Sequence, residues 1–156
     1  MAINILLADD HDVVRQGLRT ILRARPEWEI CGEAGNGREA VEAAQQLQPD
    51  LIVLDITMPI MSGLEATEEI QKLHLDTRVL IFTMHDSKSL VRALKKAGAQ
   101  GYVLKSHAAR DLIPAIEKLL QGETFFGPEM EPPEAPKVGS GGGNLLFRRR
   151  LTFACC

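Results

Sequence analysis

The sequence predicts an α/β fold, a doubly wound five-stranded parallel sheet with helices on both faces. Three observations carry this. Short apolar runs alternate with amphipathic stretches five times between Ile3 and Leu104. The first, third and fourth runs are apolar almost throughout, as strands covered on both faces are. The length of 156 residues suits one domain of ordinary size rather than two.

The elements follow in order. Strand one covers 3–8, interrupted only by Asn4, and helix one carries Val14, Leu18, Ile21 and Leu22 at helical spacing with Asp12 as its expected cap. Strand two covers 29–34. Helix two repeats Ala40, Val41, Ala44 and Leu47 behind an Asn36 cap. Strand three covers 51–55, and Ser62 caps the third helix. Strand four covers 78–83; Ser87 precedes helix four, and Gly98 stands where a helix end favours a left-handed residue. Strand five covers 101–104. Leu112, Ile113, Ile116, Leu119 and Leu120 mark a closing helix, which Pro114 is expected to start late or kink, because proline removes a backbone donor.

Composition narrows the function classes. Hydrophobic residues make up 45% and charged residues 25%, which excludes a wholly disordered chain. No apolar run approaches the ~18 residues of a membrane span. The start lacks a basic, cleavable leader, so a cytoplasmic location is expected. Cys31, Cys155 and Cys156 offer neither a disulfide framework nor zinc-ligand spacing. Residues 1–127 hold 14 basic and 18 acidic side chains, a balance with no nucleic-acid footprint.

Parallel α/β sheets bind their ligands beyond the carboxyl ends of the strands. Here strand one ends in Asp9-Asp10, strand three in Asp55 and strand four in Thr83, while strand five leads into Lys105. Carboxylates brought together raise one another's pKa unless a cation sits among them. Hard oxygen donors in an open site suit Mg²⁺, which favours sites shared with a phosphate. The set reads as a phosphoryl-transfer site, with Asp55 at the tip of the central strand best placed to be the nucleophile. Each residue alone has an ordinary explanation, as a helix cap, a turn residue or a surface side chain. Their conjunction at five points of one sheet edge is what points to chemistry.

Four segments hold these residues: LLADDH at 6–11, LIVLDITMPIMSG at 51–63, FTMHD at 82–86 and GYVLK at 101–105. In order and spacing they resemble the receiver domain of bacterial two-component response regulators, over about residues 3–122. DDHDVVRQGLR at 9–19 and GEAGNG at 32–37 resemble its NarL/LuxR-type subgroup. The resemblance implies a flavodoxin-like sheet in the order 2-1-3-4-5 and a switch that accepts a phosphoryl group from a sensor histidine kinase on Asp55. It implies that Asp10 ligates Mg²⁺ directly, Asp9 largely through water, and Thr57 through its main-chain carbonyl. Thr83 and Lys105 would engage the phosphoryl group, and Thr83 and Tyr102 would switch together, remodelling the face of helix four, strand five and helix five. Thr57 and His85 occupy the positions that flank the phosphoryl group and tune its hydrolysis. Homodimerisation on phosphorylation is a further expectation.

Rival readings are weaker. Gly32, Gly35 and Gly37 do not have dinucleotide-fingerprint spacing. An aspartate-nucleophile, Mg²⁺-dependent phosphatase wants a second acid two residues after its nucleophile, where Thr57 stands. Lys88, Arg92, Lys95 and Lys96 make helix four basic on one side, ordinarily a solvated face. The main departure from the subgroup is at the end. Residues 1–122 are expected to form the receiver. Residues 123–156 are expected to be a linker rich in proline and glycine with a disordered tail, because 128–136 holds four prolines and 139–143 is glycine and serine. The 29 residues after Gly127 are too few for a helix-turn-helix module, so no DNA binding is expected of this chain alone. Arg148-Arg149-Arg150-Leu151-Thr152 is similar to the opening of such a module, so the expectation is a regulator cut short, for example by a frameshift. The alternative is a stand-alone receiver acting through protein contacts. A membrane-surface anchor at 145–153 and lipidation of the terminal cysteines are poorer readings, the stretch being about two helical turns long.

Overall fold

A computed structural model describes residues 2–84 and 87–126. His85 and the tail from residue 127, with the linker, anchor and lipidation expectations that fall there, lie outside the described residues. The chain runs β1 (Ile3–Ala8), α1 (Asp12–Leu22), β2 (Trp28–Ala34), α2 (Gly37–Leu47), β3 (Leu51–Asp55), α3 (Gly63–Lys72), β4 (Arg78–Thr83), α4 (Lys88–Ala97), β5 (Gly101–Leu104), a 3₁₀ turn at Lys105–His107 and α5 (Ala108–Leu120). All five strands are parallel, in the order β2-β1-β3-β4-β5.

Side chains alternate across a strand, and here each set meets its own layer. Ile5, Leu7, Val53, Leu80 and Val103 pack with Leu18 and Leu22 of α1 and Leu112, Ile116 and Leu119 of α5. Leu6, Ile52, Leu54, Val79 and Ile81 pack with Ala40 and Ala44 of α2, Ala66 and Ile70 of α3, and Val91 and Leu94 of α4. The order doubles back between β1 and β3, and the crevice above such a reversal is where ligands sit in these sheets.

The helix starts follow their caps, with one exception. Asn36 accepts from the Glu39 N–H, Ser87 from Leu90, and Ser62 forms a reciprocal capping box with Glu65. Gly98 ends α4 with φ of 106°. Asp12, however, is the first residue of α1 rather than its cap. The preceding turn is closed from the other side, where the His11 N–H donates to Asp9 Oδ1 at 2.8 Å.

Three further corrections concern boundaries. The first is in β2, which begins one residue early, at Trp28, and carries a bulge: Ile5 pairs with Ile30 but Leu6 with Gly32, leaving Cys31 as the extra residue. Next, α5 begins at Ala108 and runs through Pro114, which faces solvent, so the missing donor falls on the wet side of the helix. The packed unit also continues past residue 122. Phe125 bridges Gly101 beside β5, its carbonyl accepts from Tyr102 N at 2.7 Å, and Phe126 is buried with Lys95 Nζ 4.7 Å above its ring.

Candidate functional site at the carboxyl edge of the sheet

The strand register brings the polar ends together. Ala8 pairs with Leu54 and Asp55 with Phe82, so the acid pair after β1 and the last residue of β3 emerge side by side. Asp9 is 1% exposed and Asp55 3%, and Thr83 is buried at the end of β4. The turn after β5 delivers Lys105 from the far side. Asp10, His11, Asp55, Thr57, Thr83, Met84 and Lys105 line an open cleft of about 190 Å³.

Lys105 is the positive pole of the cleft. Its Nζ lies 3.1 Å from Asp9 Oδ2 and 3.4 Å from Asp55 Oδ1, and 5.8 Å from the centre of the Phe82 ring. Asp55 Oδ1 also accepts from the Thr57 N–H at 3.4 Å. Burial pushes the Asp55 carboxyl above its ordinary pKa and the Asp9 charge adds to the rise, while Lys105 and the Thr57 N–H oppose it. Asp9 Oδ2, although within ion-pair distance of Lys105, accepts no hydrogen bond. It is a buried oxygen with coordination capacity to spare.

The raised pKa carries a stability consequence. The folded state holds the Asp55 proton more tightly than the unfolded chain does, so stability falls as pH rises from the ordinary carboxylate value through the raised one. Above that window the full cost of the buried charge is present. In chelator at neutral pH, Asp55→Asn is therefore expected to melt at a higher temperature than wild type, and the difference is expected to vanish below the ordinary carboxylate range. Equal melting temperatures at neutral pH would contradict it.

All the sequence-predicted residues except His85 fall within the described structure, and Asp9, Asp10, Asp55, Thr57, Thr83 and Lys105 converge. Tyr102 does not line the cleft. It is 2% exposed, in the layer that packs β5 against α4. Two residues escaped the sequence reading. His11 Nδ1 sits 3.0 Å from Asp10 Oδ1 and 3.2 Å from Asp9 Oδ1, and ligand atoms of Asp9, Asp10, His11 and Asp55 all fall within 4.8 Å of one another. Arg15 donates to the Asp9 carbonyl. The signal for His11 was its place in the Asp-Asp-His run; Arg15, one turn into α1, had none of its own.

Comparison with known proteins agrees with the fold. The family model described as response regulator receiver domain matches residues 5–117. The chain belongs to the response regulator receiver domain family. This receiver is 38% identical over 128 residues to the transcriptional regulatory protein DegU of Brevibacillus brevis, covering 82% of the chain and 54% of DegU. To the response regulator protein VraR of Staphylococcus aureus it is 40% identical over 131 residues, covering 83% of the chain and 62% of VraR. The chain thus spans little more than half the length of these curated relatives. Among solved structures, the receiver superposes with a TM-score of 0.79 and 37% identity on a LuxR-family two-component response regulator from Aurantimonas sp. SI85-9A1, covering 83% of this chain and 93% of that one. On the signal receiver domain of the putative response regulator NarL from Mycobacterium tuberculosis the TM-score is 0.75 at 29% identity, over 78% and 98% of the two chains. The receiver is therefore a two-component signalling domain related to LuxR-family regulators. Among the described residues no helix is long and apolar enough to cross a membrane.

Proposed function

We propose that this receiver accepts a phosphoryl group on Asp55 from a sensor histidine kinase, with Mg²⁺ held by Asp9, Asp10, Asp55 and the main-chain carbonyl of Thr57. The observation that carries the reading is the buried Asp55 carboxylate facing an open cleft beside an acid pair, with Lys105 bridging Asp9 and Asp55. The residues fit a hard cation. The donors are oxygens, and Asp9 Oδ2 is buried without a hydrogen bond. Bound there, Mg²⁺ would screen the charge between the carboxylates and the incoming phosphoryl oxygens.

The remaining chemistry belongs to the chain. The contacts to Lys105 and the Thr57 N–H both fall on Asp55 Oδ1, which leaves Oδ2 to attack. As the new oxygen–phosphorus bond forms, the phosphorus–nitrogen bond to the donor histidine breaks and its electron pair returns to the imidazole ring. Lys105 then has a phosphoryl oxygen to pair with in place of Asp55, and the Thr83 hydroxyl donates to another. Thr83 pairs with Leu104 in the sheet, two residues from Tyr102. A shift of Thr83 is thereby passed to β5 and, through the layer around Tyr102, to α4, the face on which a phosphorylated homodimer or an output partner would form.

The test is intact-mass measurement after incubation with acetyl phosphate and Mg²⁺. Wild type is expected to gain one phosphoryl group and Asp55→Ala none. A wild type that gains nothing, or an Asp55→Ala variant that still gains the group, overturns the proposal.

A further inference from the structure

The acid pair stands on a turn that one half-buried side chain braces. Arg15, in the first turn of α1, has a side chain only 17% exposed. Its guanidinium reaches three ways: to the main-chain carbonyl of Asp9, to the Asp12 carboxylate, and from Nε to Glu33 Oε1 on β2 at 2.8 Å. Glu33 is itself gripped by Arg19 through its other oxygen.

The consequence is clearest at Asp9. Its N–H donates to the Ala34 carbonyl at 3.0 Å, its carbonyl accepts from Arg15, and its Oδ1 accepts from the His11 N–H at 2.8 Å. Only Oδ2 is left without a hydrogen bond, 3.1 Å from Lys105 Nζ. Without Arg15 the Asp9 carbonyl would lose its partner, and Asp9 would be held by its N–H and its Oδ1 alone. Arg15 is also balanced by Asp12 and Glu33, so its effect on the acid cluster comes more from geometry than from net charge.

We infer that Arg15 is a positioning residue, fixing the Asp9–Asp10 turn in the geometry that receives the divalent cation. The inference rests on the metal reading proposed above. A planar fork is needed because the three acceptors lie on three different segments, which one guanidinium can span and an ammonium cannot. Groups that orient metal-bound carboxylates from outside commonly change metal affinity by about 10- to 100-fold when removed.

Calorimetric titration of the full chain with Mg²⁺ alone tests this. Arg15→Ala is expected to weaken Mg²⁺ binding at least about tenfold, with Arg15→Lys between it and wild type and Glu33→Gln within a few-fold of wild type. Circular dichroism of each variant establishes that the sheet is intact. If Arg15 merely tied α1 to β2, folded variants would bind Mg²⁺ as wild type does, and that result overturns the inference. Should Arg15→Ala not fold, Arg15→Lys decides: wild-type affinity overturns the inference, and weakened affinity supports it. A wild-type chain that binds no Mg²⁺ overturns the site reading itself and the inference with it.

Discussion

Replacing Lys105 by alanine is expected to destabilise the metal-free receiver by about 3 kcal/mol at neutral pH, with most of the loss recovered in Mg²⁺. Lys105 lies 3.1 Å from Asp9 Oδ2 and 3.4 Å from Asp55 Oδ1, and both acids are almost wholly buried. Removing one partner of such a set leaves buried charge uncompensated, which costs more than the pair itself contributes. The lower end of the usual range applies because the lysine side chain is 15% exposed and water can approach its place. The loss has a definite pH dependence. Lys105 holds the Asp55 pKa down against burial and the Asp9 charge, so without it that pKa rises further. The deficit is therefore expected to be small below the ordinary carboxylate range, where Asp55 is neutral, and to grow as pH rises through its raised pKa. A divalent cation restores the missing positive charge and binds only the folded site, which adds stability by mass action. Urea denaturation in chelator and in Mg²⁺ measures both arms, and a loss of equal size in the two media would sink this account.

Lys105 also marks how far the sequence reading reached. That it belongs with Asp9, Asp55 and Thr83 was legible, because each follows an apolar run and the run order dictates a common edge. That it divides itself between two carboxylates was not, since the spacing along the chain holds no information about where a flexible ammonium settles among acids from different strands. Arg15 was illegible for the same reason: its acceptors come from three segments. Asp12 was misread because a cap and a first-turn acid look alike in sequence, and only the Asp9–His11 turn distinguishes them. The bulge at Cys31 and the return of Phe125 to the sheet are pairing events, set by distant strands rather than by local pattern.

The sheet edge is held in place by close backbone approach as well as by charge, and Gly63→Ala is expected to cost about 3 kcal/mol. Gly63 is the first residue of α3, and its N–H donates to the Ile56 carbonyl at 2.9 Å, folding the loop after Asp55 back on itself. A methyl group there would stand 2.2 Å from the Asp55 carbonyl oxygen, 2.8 Å from Ile56 Cα and 2.9 Å from the Asp55 carbonyl carbon. These are backbone atoms at the end of a central strand, so no side chain can rotate away to make room. Either the start of α3 lifts off or the end of β3 shifts, and the second displaces the nucleophile. Gly17 supplies the opposite case within the same molecule. It lies on the exposed side of α1 with nothing within 4 Å of an added methyl group, so Gly17→Ala is expected to stabilise by about 0.5–1 kcal/mol through helix propensity alone. Chemical denaturation of the two variants should therefore give shifts of opposite sign. If Gly63→Ala proves as stable as wild type, the α3 start is not wedged against Asp55. The Asp55 carboxylate would then be placed by its ion pair and by Thr57 without help from the helix behind it.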